Sequence, residues 1–353
     1  MGTREDAAAR GEGAGDDGFI ELEGVEKVFR VRRRRAGRRR REVREVRAVD
    51  GISFRVPRGQ MVGYIGPNGA GKSTTIKMLT GVLTPSGGRI RVAGVDPSRE
   101  RMRLARRIGV VFGQRTTLWW DLPLRDSYAL ARRLYRVPEA RWRANLERCV
   151  DLLELDGLLD VPVRQLSLGQ RMRGDIAAAL LHDPEVLYLD EPTIGLDVIS
   201  KARVRSFLRR VNTESGVTVL LTTHDLTDIE QLCDRVMVID HGRLVYDGAL
   251  EGLHRAGGGE RTLVVDLARE VPPVRVEGAR TVRVEGPRQW LAFPAAASAA
   301  PLVARIAAEY PLVDLSVREP DIEDVIARMY ARGAAGARGD AGPDGAQAPP
   351  VVS

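Results

Sequence analysis

Cysteine and lysine are scarce in this 353-residue chain, aromatic residues make up only 5% of it, and no uninterrupted apolar run approaches bilayer-spanning length. Cys149 and Cys233 sit singly in helical-looking segments, which speaks against a disulfide framework or a zinc site and points to a reducing cytosol. Met1 to Gly18 is charged and rich in Gly and Ala without an apolar h-region, so no secretory signal is expected and the chain should be soluble on its own. The only lysines are Lys27, Lys72, Lys77 and Lys201 in a chain otherwise saturated with arginine. The net charge of +7 is modest for the length but concentrated, with Arg32 to Arg35 and Arg38 to Arg41 forming a block. That block reads first as a solvated insertion, next as a face for anionic lipid headgroups at roughly 1 kcal/mol per arginine, and last as a nucleic-acid contact. No aromatic residue interleaves with the arginines, which weakens base stacking.

What the chain does have is Gly66-Pro67-Asn68-Gly69-Ala70-Gly71-Lys72-Ser73-Thr74, whose spacing fits G-x-x-x-x-G-K-[ST], a loop whose backbone wraps a nucleotide phosphate. The flanks suit it. Gln60 to Ile65 reads as a buried strand and Thr74 to Leu79 as a helix. Glycines at 66, 69 and 71 let backbone N–H groups converge on anionic oxygens, and the helix presents its positive dipole end to the same point. Lys72 supplies a compact point charge for the β and γ phosphates, where a broad planar arginine fits poorly. The Ser73 hydroxyl suits Mg²⁺. The ordinary alternative, a Gly-rich turn opening a helix, lacks a reason for lysine here.

Along the chain, residues 1–18 and 333–353 lack apolar periodicity and read as disordered tails. Phe19 to Phe29 and Val46 to Val56 read as strands separated by the arginine block, and Gly87 to Gly94 as a short hairpin. A basic helix near Arg99 to Arg107 precedes a strand Ile108 to Phe112, and a helical stretch from Leu124 to Leu159 is broken by Pro138 and Gly157. Helices Gly169 to Leu181, Val198 to Val211 and Asp225 to Leu232 then alternate with strands Val186 to Leu189 and Val217 to Leu221, before a closing hairpin over Arg235 to Asp247. After Gly257-Gly258-Gly259 the grammar changes. Strands at 261–267, 274–276, 281–284, 290–293 and 312–317 with helices at 296–309 and 321–330 read as a small α+β domain.

Four apolar residues followed by Asp190-Glu191 form a strand end where Asp190 can hold a Mg²⁺ shell and Glu191 can deprotonate an attacking water. Upstream, Ser167 and Gly169 in Leu166-Ser167-Leu168-Gly169-Gln170 make a second phosphate-type helix start, which suggests two chains sharing one nucleotide. This pentapeptide is similar to the LSGGQ signature of ABC ATPases, and it stands between the phosphate loop and Asp190-Glu191 in that family's order. Gln114 resembles the Q-loop glutamine, Gly195-Leu196-Asp197 the D-loop, His224 the switch histidine and Phe29 an A-loop aromatic that stacks on adenine. The match covers about residues 19–250, and Leu168 departs from the glycine most common there.

The resemblance implies an α/β P-loop NTPase core of the ABC type at 19–255, with an inserted helical subdomain at about 116–165 and a small C-terminal α+β domain at 260–332. It implies ATP and Mg²⁺ as cofactors, the metal meeting Ser73, Asp190 and Gln114. It also implies a head-to-tail homodimer in which Lys72 and Ser73 of one copy face Ser167, Gly169 and Gln170 of the other across ATP. Glu191 is then the catalytic base, with His224 and Gln114 beside it and Asp197 at the dimer seam. Phe112 to Ser127, with the Trp119-Trp120 pair, and Glu319-Pro320-Asp321 look like ABC-2 type systems, usually efflux. That places the chain in the cytoplasm, peripheral on the inner membrane face through a separate permease. An anionic lipid surface is a secondary partner and no specific nucleic acid is expected. A soluble ABC ATPase acting on ribosomes or nucleic acid is the alternative, although the paired ATPase units or long coiled coils of such proteins are lacking here. An inert regulatory module would have lost Lys72, Glu191 or His224.

Overall fold

The computed structural model describes residues 18–33, 42–113, 115–223, 225–256 and 260–318. In chain order the first elements are β1 (Ile20–Arg33), β2 (Glu42–Val56), β3 (Met61–Ile65), α1 (Lys72–Leu79), β4 (Gly87–Val92), α2 (Arg101–Ala105) and β5 (Ile108–Phe112). Then come α3 (Leu124–Tyr135), α4 (Glu139–Leu153), α5 (Leu168–Leu180), β6 (Val186–Asp190), α6 (Val198–Ser215), β7 (Thr218–Thr222) and α7 (Leu226–Leu232). The last are β8 (Arg235–Asp240), β9 (Arg243–Ala249), α8 (Leu250–Ala256), β10 (Glu260–Leu267), β11 (Arg280–Glu285), β12 (Arg288–Pro294), α9 (Ala300–Glu309) and β13 (Leu312–Arg318). The chain forms two compact units, one from Met1–Met61 with Ser73–Leu220 and the other from Val62–Lys72 with Leu221–Ser353.

In the first unit β1 lies between β2 and β4 in an antiparallel sheet. Alternation explains its buried face: Ile20 and Leu22 point inward, as do Ile52, Phe54, Val56, Ile90 and Val92 from the neighbouring strands. The β1–β2 pairing does not stop at Phe29 and Val46 as the sequence suggests. It continues through Arg30↔Glu45, Val31↔Arg44, Arg32↔Val43 and Arg33↔Glu42, so the arm reaches the edge of the arginine block. Cross-strand charge pairing, with Arg30 and Glu45 at 3.0 Å, supports strand here without a hydrophobic face. The rest of the block lies outside the described residues.

The same unit holds β5 and β6, paired in parallel from Ile108↔Val186 to Phe112↔Asp190, so the acidic strand end lines up with the residue two before Gln114. The helical stretch divides where proline demands: α3 ends in a left-handed Arg136, and Pro138 caps α4. Gly174 of α5 lets α3 approach, since a Cβ there would meet Leu124 Cδ2 at 3.0 Å and Leu118 Cδ1 at 3.2 Å. Cys149 is buried and unbridged, and burial pushes its thiol up to about 12.

In the second unit β3 and β8 pair in parallel and β8 and β9 antiparallel, β3 being buried at every residue. A Cβ on Gly63 would stand 2.6 Å from Ile229 Cδ1, so glycine is what lets α7 pack on β3. Helix α8, not anticipated from the sequence, follows β9. The C-terminal region is a four-stranded antiparallel sheet, order β11-β12-β10-β13, over a core of Leu263, Val265, Leu291, Phe293, Leu302 and Ile306. The strand expected at 274–276 is absent from it. Pro272 and Pro273 precede that stretch, and the Val274 N–H donates not to a neighbouring strand but to Oε1 of the buried Gln289 at 2.8 Å. The helix expected at 321–330 lies outside the described residues. Among the described residues no helix is long and apolar enough to cross a membrane.

Candidate nucleotide site

The phosphate loop forms between β3 and α1, with Gly69 at φ +83° and Gly71 at φ +110°, conformations that favour glycine. Gly66 is fixed by proximity instead, because a Cβ there would come within 2.3 Å of the Ile239 carbonyl oxygen. Ala70 N–H donates to the Pro67 carbonyl at 3.1 Å, and the Ala70 carbonyl accepts from Gly242 N–H at 2.9 Å, tying the loop to the turn after β8. Lys72 is buried, and its ammonium donates to the carbonyls of Gly66 at 2.5 Å and Pro67 at 3.1 Å. Asn68 and Thr74 complete the loop and the first turn of α1.

Ser73, one residue on, donates its hydroxyl to Asp190 Oδ2 at 3.4 Å. The residue after Asp190, Glu191, adopts φ +55°, a left-handed conformation costing a non-glycine residue about 1 kcal/mol or more. That conformation turns the chain sharply at the end of β6. Gly113 presses on the same turn: its N–H donates to the Asp190 carbonyl at 2.7 Å, and a Cβ on it would lie 2.2 Å from the Glu191 carbonyl oxygen. Gln114 itself lies outside the described residues, as does His224. Beside the latter, Thr223 is buried and its Oγ1 accepts from Asp225 N–H at 2.9 Å, while Asp225 caps α7 through Thr227 N–H.

Ser167 is the N-cap of α5 in a reciprocal box: its Oγ accepts from Gln170 N–H at 3.2 Å and its own N–H donates to Gln170 Oε1 at 2.8 Å. The hydroxyl proton is left to donate elsewhere, and the Gly169 N–H falls among the helix-start donors with no partner inside the helix. Asp197 caps α6 through Ser200 N–H at 2.9 Å and Ser200 Oγ–H at 2.7 Å, bonds that hold its carboxyl below the usual range. The two helix starts touch. A Cβ on Gly169 would stand 2.9 Å from Ser200 Oγ, and one on Gly195 would stand 2.8 Å from Leu168 Cδ2. Phe29, in the β1–β2 arm, is partly buried with Lys27 Nζ 5.3 Å from its ring centre.

Sequence reasoning missed Asp175 on α5. It is buried, accepting from Thr116 Oγ1 at 2.9 Å, Thr117 N–H at 2.9 Å and Thr117 Oγ1 at 3.1 Å, so it staples the segment after Gln114 to the helix that begins at Ser167. The available signal was an aspartate amid Ile176 and Ala177 to Ala179, where a charge needs a partner. Burial raises its carboxyl above the ordinary value despite those three bonds. The pinned segment carries Trp119 and Trp120, both exposed, with Arg171 5.5 Å above the Trp120 ring.

A glycine-rich loop between a strand and a helix, its lysine followed by a serine that meets a strand-end aspartate, defines a P-loop ATPase. A sequence model of the family described as ABC transporter matches residues 49–194. The daunorubicin resistance ATP-binding protein DrrA3 of Streptomyces coeruleorubidus is 42% identical over 218 residues, 62% of this chain and 68% of that protein. The Nod factor export ATP-binding protein I of Ralstonia nicotianae is 36% identical over 292 residues, 80% and 89% of the two chains. Among solved structures, cbiO1 of Clostridium perfringens, part of the ABC transporter complex cbiONQ, superposes with a TM-score of 0.57 at 29% identity, covering 67% of this chain and 90% of that one. The dimeric bacterial ABC transporter cassette MJ0796 gives 0.55 at 25% identity over 65% of this chain and 98% of its own. The chain belongs to the ABC transporter ATP-binding protein family, close to the ATP-binding proteins of exporters. It is an ABC ATPase that binds and hydrolyses ATP in transport.

Proposed function

We propose that the chain powers a separate membrane permease of the ABC-2 type that exports a small or lipid-like molecule. Two of the relatives described above carry resistance and export in their names. The observation that carries the reading is a groove of about 710 Å³ in the first unit, lined by Ile108, Phe112, Trp119, Leu130 and Leu134 among others. Trp119, Leu130 and Leu134 are exposed there, an apolar surface of the kind that marks a binding face. With no membrane-spanning helix among the described residues, transport needs a second chain, and this groove offers it a seat beside the segment that Asp175 pins. The chain is then peripheral on the inner face of the cell membrane.

The chemistry follows from the residues. Two copies lie head to tail, and the backbone of Gly66 to Gly71 with Thr74 cradles the phosphates of ATP while Lys72 neutralises them. Phe29 stacks on adenine. Ser167 and Gly169 of the second copy donate to the γ-phosphate, with Gln170 holding Ser167 in place and Asp197 at the seam. The Ser73 hydroxyl and Asp190 carboxylate, 3.4 Å apart, are hard oxygen donors that fit Mg²⁺; Gln114 would complete the protein's share. The charge of Mg²⁺ held there would offset that of the phosphates. Glu191 takes the proton from the water that attacks in line, and Lys72 and His224 stabilise charge on the transferring group.

The test is a pull-down of the tagged full chain from detergent-solubilised, nuclease-treated membranes of its source. A stoichiometric multi-span protein is the expected companion. Recovery only from the soluble fraction with ribosomes or nucleic acid overturns the transport reading and leaves the ATPase standing.

A further inference from the structure

We infer that the edge strand β13 pairs with β13 of a second copy, antiparallel and centred on Ser316, so that two C-terminal sheets join into one continuous sheet. The inference stands apart from the permease reading and from the head-to-tail seam across ATP. The C-terminal sheet has two edges, β11 and β13, and they differ. β11 is guarded: its register shifts between Thr281 and Arg283, and its arginines are already paired, Arg280 with Glu260 at 2.6 Å and Arg283 with Glu285. A bulge and charged side chains of this kind keep an edge from taking another strand. β13 has no bulge. Its pairing with β10 runs unbroken from Asp266↔Asp314 to Thr262↔Arg318, and its far side meets no other strand among the described residues. The Leu315 N–H marks which backbone groups point that way, since it meets not β10 but Oδ1 of its own neighbour Asp314 at 2.8 Å. By alternation Val313 and Val317 present theirs on the same side.

The pattern along the strand selects a second copy as the partner. Asp314, Ser316 and Arg318 lie on one face, all exposed, and Leu315 and Val317 on the other, partly buried against the domain core. Among the described residues neither Asp314 nor Arg318 has an ion-pair partner, whereas the charges beside them do: Arg288 donates to Asp266 Oδ2 at 2.8 Å. Four residues apart, about 13 Å along a strand, Asp314 and Arg318 cannot reach each other. A two-fold axis at Ser316 brings each to its counterpart, so that Asp314 of either copy faces Arg318 of the other. The same axis sets Leu315 opposite Val317 of the second copy, where their outward amides and carbonyls exchange hydrogen bonds and the apolar layer continues across the join. Leu315 N–H leaves Asp314 for that bond, and the carboxylate it frees meets the guanidinium. Moving the axis to Leu315 or Val317 keeps backbone bonds but loses both ion pairs, so charge fixes the register.

The test uses the purified full chain in EDTA without nucleotide, conditions in which the ATP seam does not form. Sedimentation equilibrium from about 1 to 100 µM, the range suited to a small interface, is expected to show a reversible dimer. Asp314→Arg and Arg318→Asp each set like charges across the axis twice over and weaken the dimer roughly tenfold or more. An equal mixture of the two variants restores it, because only the mixed pair opposes unlike charges at both positions, and mixing does not repair a folding defect. Ser316→Cys supplies a second readout. Residues opposed at a non-hydrogen-bonded antiparallel pair have Cα atoms about 4.5 Å apart, within disulfide reach. Oxidation by copper phenanthroline is therefore expected to link two copies through position 316, with the native Cys149 and Cys233 buried and Ser298→Cys, exposed in the same domain, left unlinked. A chain that is monomeric throughout that range, a mixture no tighter than its parents, or linkage no greater at 316 than at 298 overturns the inference. A dimer that appears only with ATP also overturns the β13 pairing while leaving the head-to-tail seam standing.

Discussion

Gly195 and Leu168 define a contact whose strength can be measured without nucleotide. Gly195 holds φ +69°, and a Cβ on it would stand 2.8 Å from Leu168 Cδ2. Gly195→Ala therefore carries two costs: the left-handed backbone, about 1–2 kcal/mol, and displacement of the Leu168 side chain, about 0.5–1.5 kcal/mol because Cδ2 is the free end of a partly exposed side chain that can rotate. Urea unfolding of the full chain is expected to show a loss of roughly 1.5–3.5 kcal/mol for the single variant, the sum of those two costs. In a background of Leu168→Ala the second cost vanishes and the first remains. The double-mutant cycle thus yields a coupling of about 0.5–1.5 kcal/mol, with the double variant more stable than additivity predicts. Additivity to within about 0.3 kcal/mol would refute the claim that Leu168 fills the space over Gly195. The departure from glycine at 168 would then be a surface substitution with no partner.

Glu191→Gln is expected to bind ATP while steady-state hydrolysis falls by a factor on the order of 10² to 10⁴, checked by phosphate release beside nucleotide binding; unchanged turnover removes Glu191 as the base. Gly113→Ala places a methyl against the Glu191 carbonyl oxygen, 2.2 Å away, and the Asp190 carbonyl oxygen, 3.0 Å away. Both are backbone, so the β6 turn must move: ATPase activity should drop at least about tenfold and stability by about 1–3 kcal/mol, whereas wild-type rates would show that the turn does not position Glu191. For Asp175, burial raises the folded-state carboxyl, so the folded form takes up its proton first as pH falls. Its contribution therefore favours folding increasingly as pH drops from above the raised value towards the ordinary one near ~4. Comparing the Asp175→Asn variant with wild type by urea unfolding across that window should show the rise in wild type and its loss in the variant, and parallel profiles would contradict the assignment.

The phosphate loop was legible because its requirements are local: spacing, a strand before, a helix after. The same holds for β5 and β6, continuous apolar runs, and for the helix start at Ser167 and Gly169, whereas the reciprocal bonds between Ser167 and Gln170 came only with the structure. The arm formed by β1 and β2 was half legible. Its first half alternates apolar and polar residues, but from Arg30 onward only the facing strand explains extended backbone, and Glu45 is 15 residues away. The strand expected at 274–276 failed because Gln289 claims the Val274 N–H from 15 residues on. Asp175 and the Leu168–Gly195 contact were hidden for the same reason: partners 58 residues apart for Thr117 and Asp175 leave no periodic trace. Sites made by short-range geometry announce themselves in sequence, and those made by tertiary packing do not.

Helix α5 is also a mechanical part. Ser167 stands at its start and Asp175 eight residues along, about 12 Å by helical rise. Tyr128 Oη–H donates to the Gly174 carbonyl at 3.1 Å, and Asp175 grips Thr116 and Thr117. A hydrogen-bonded helix transmits tilt as a stiff rod, so a shift imposed at the Ser167 end arrives at the Trp119 loop with its direction preserved. A displacement at the Ser167 end has a route to the groove that crosses no hinge, only one helix and the three hydrogen bonds of a single buried carboxylate.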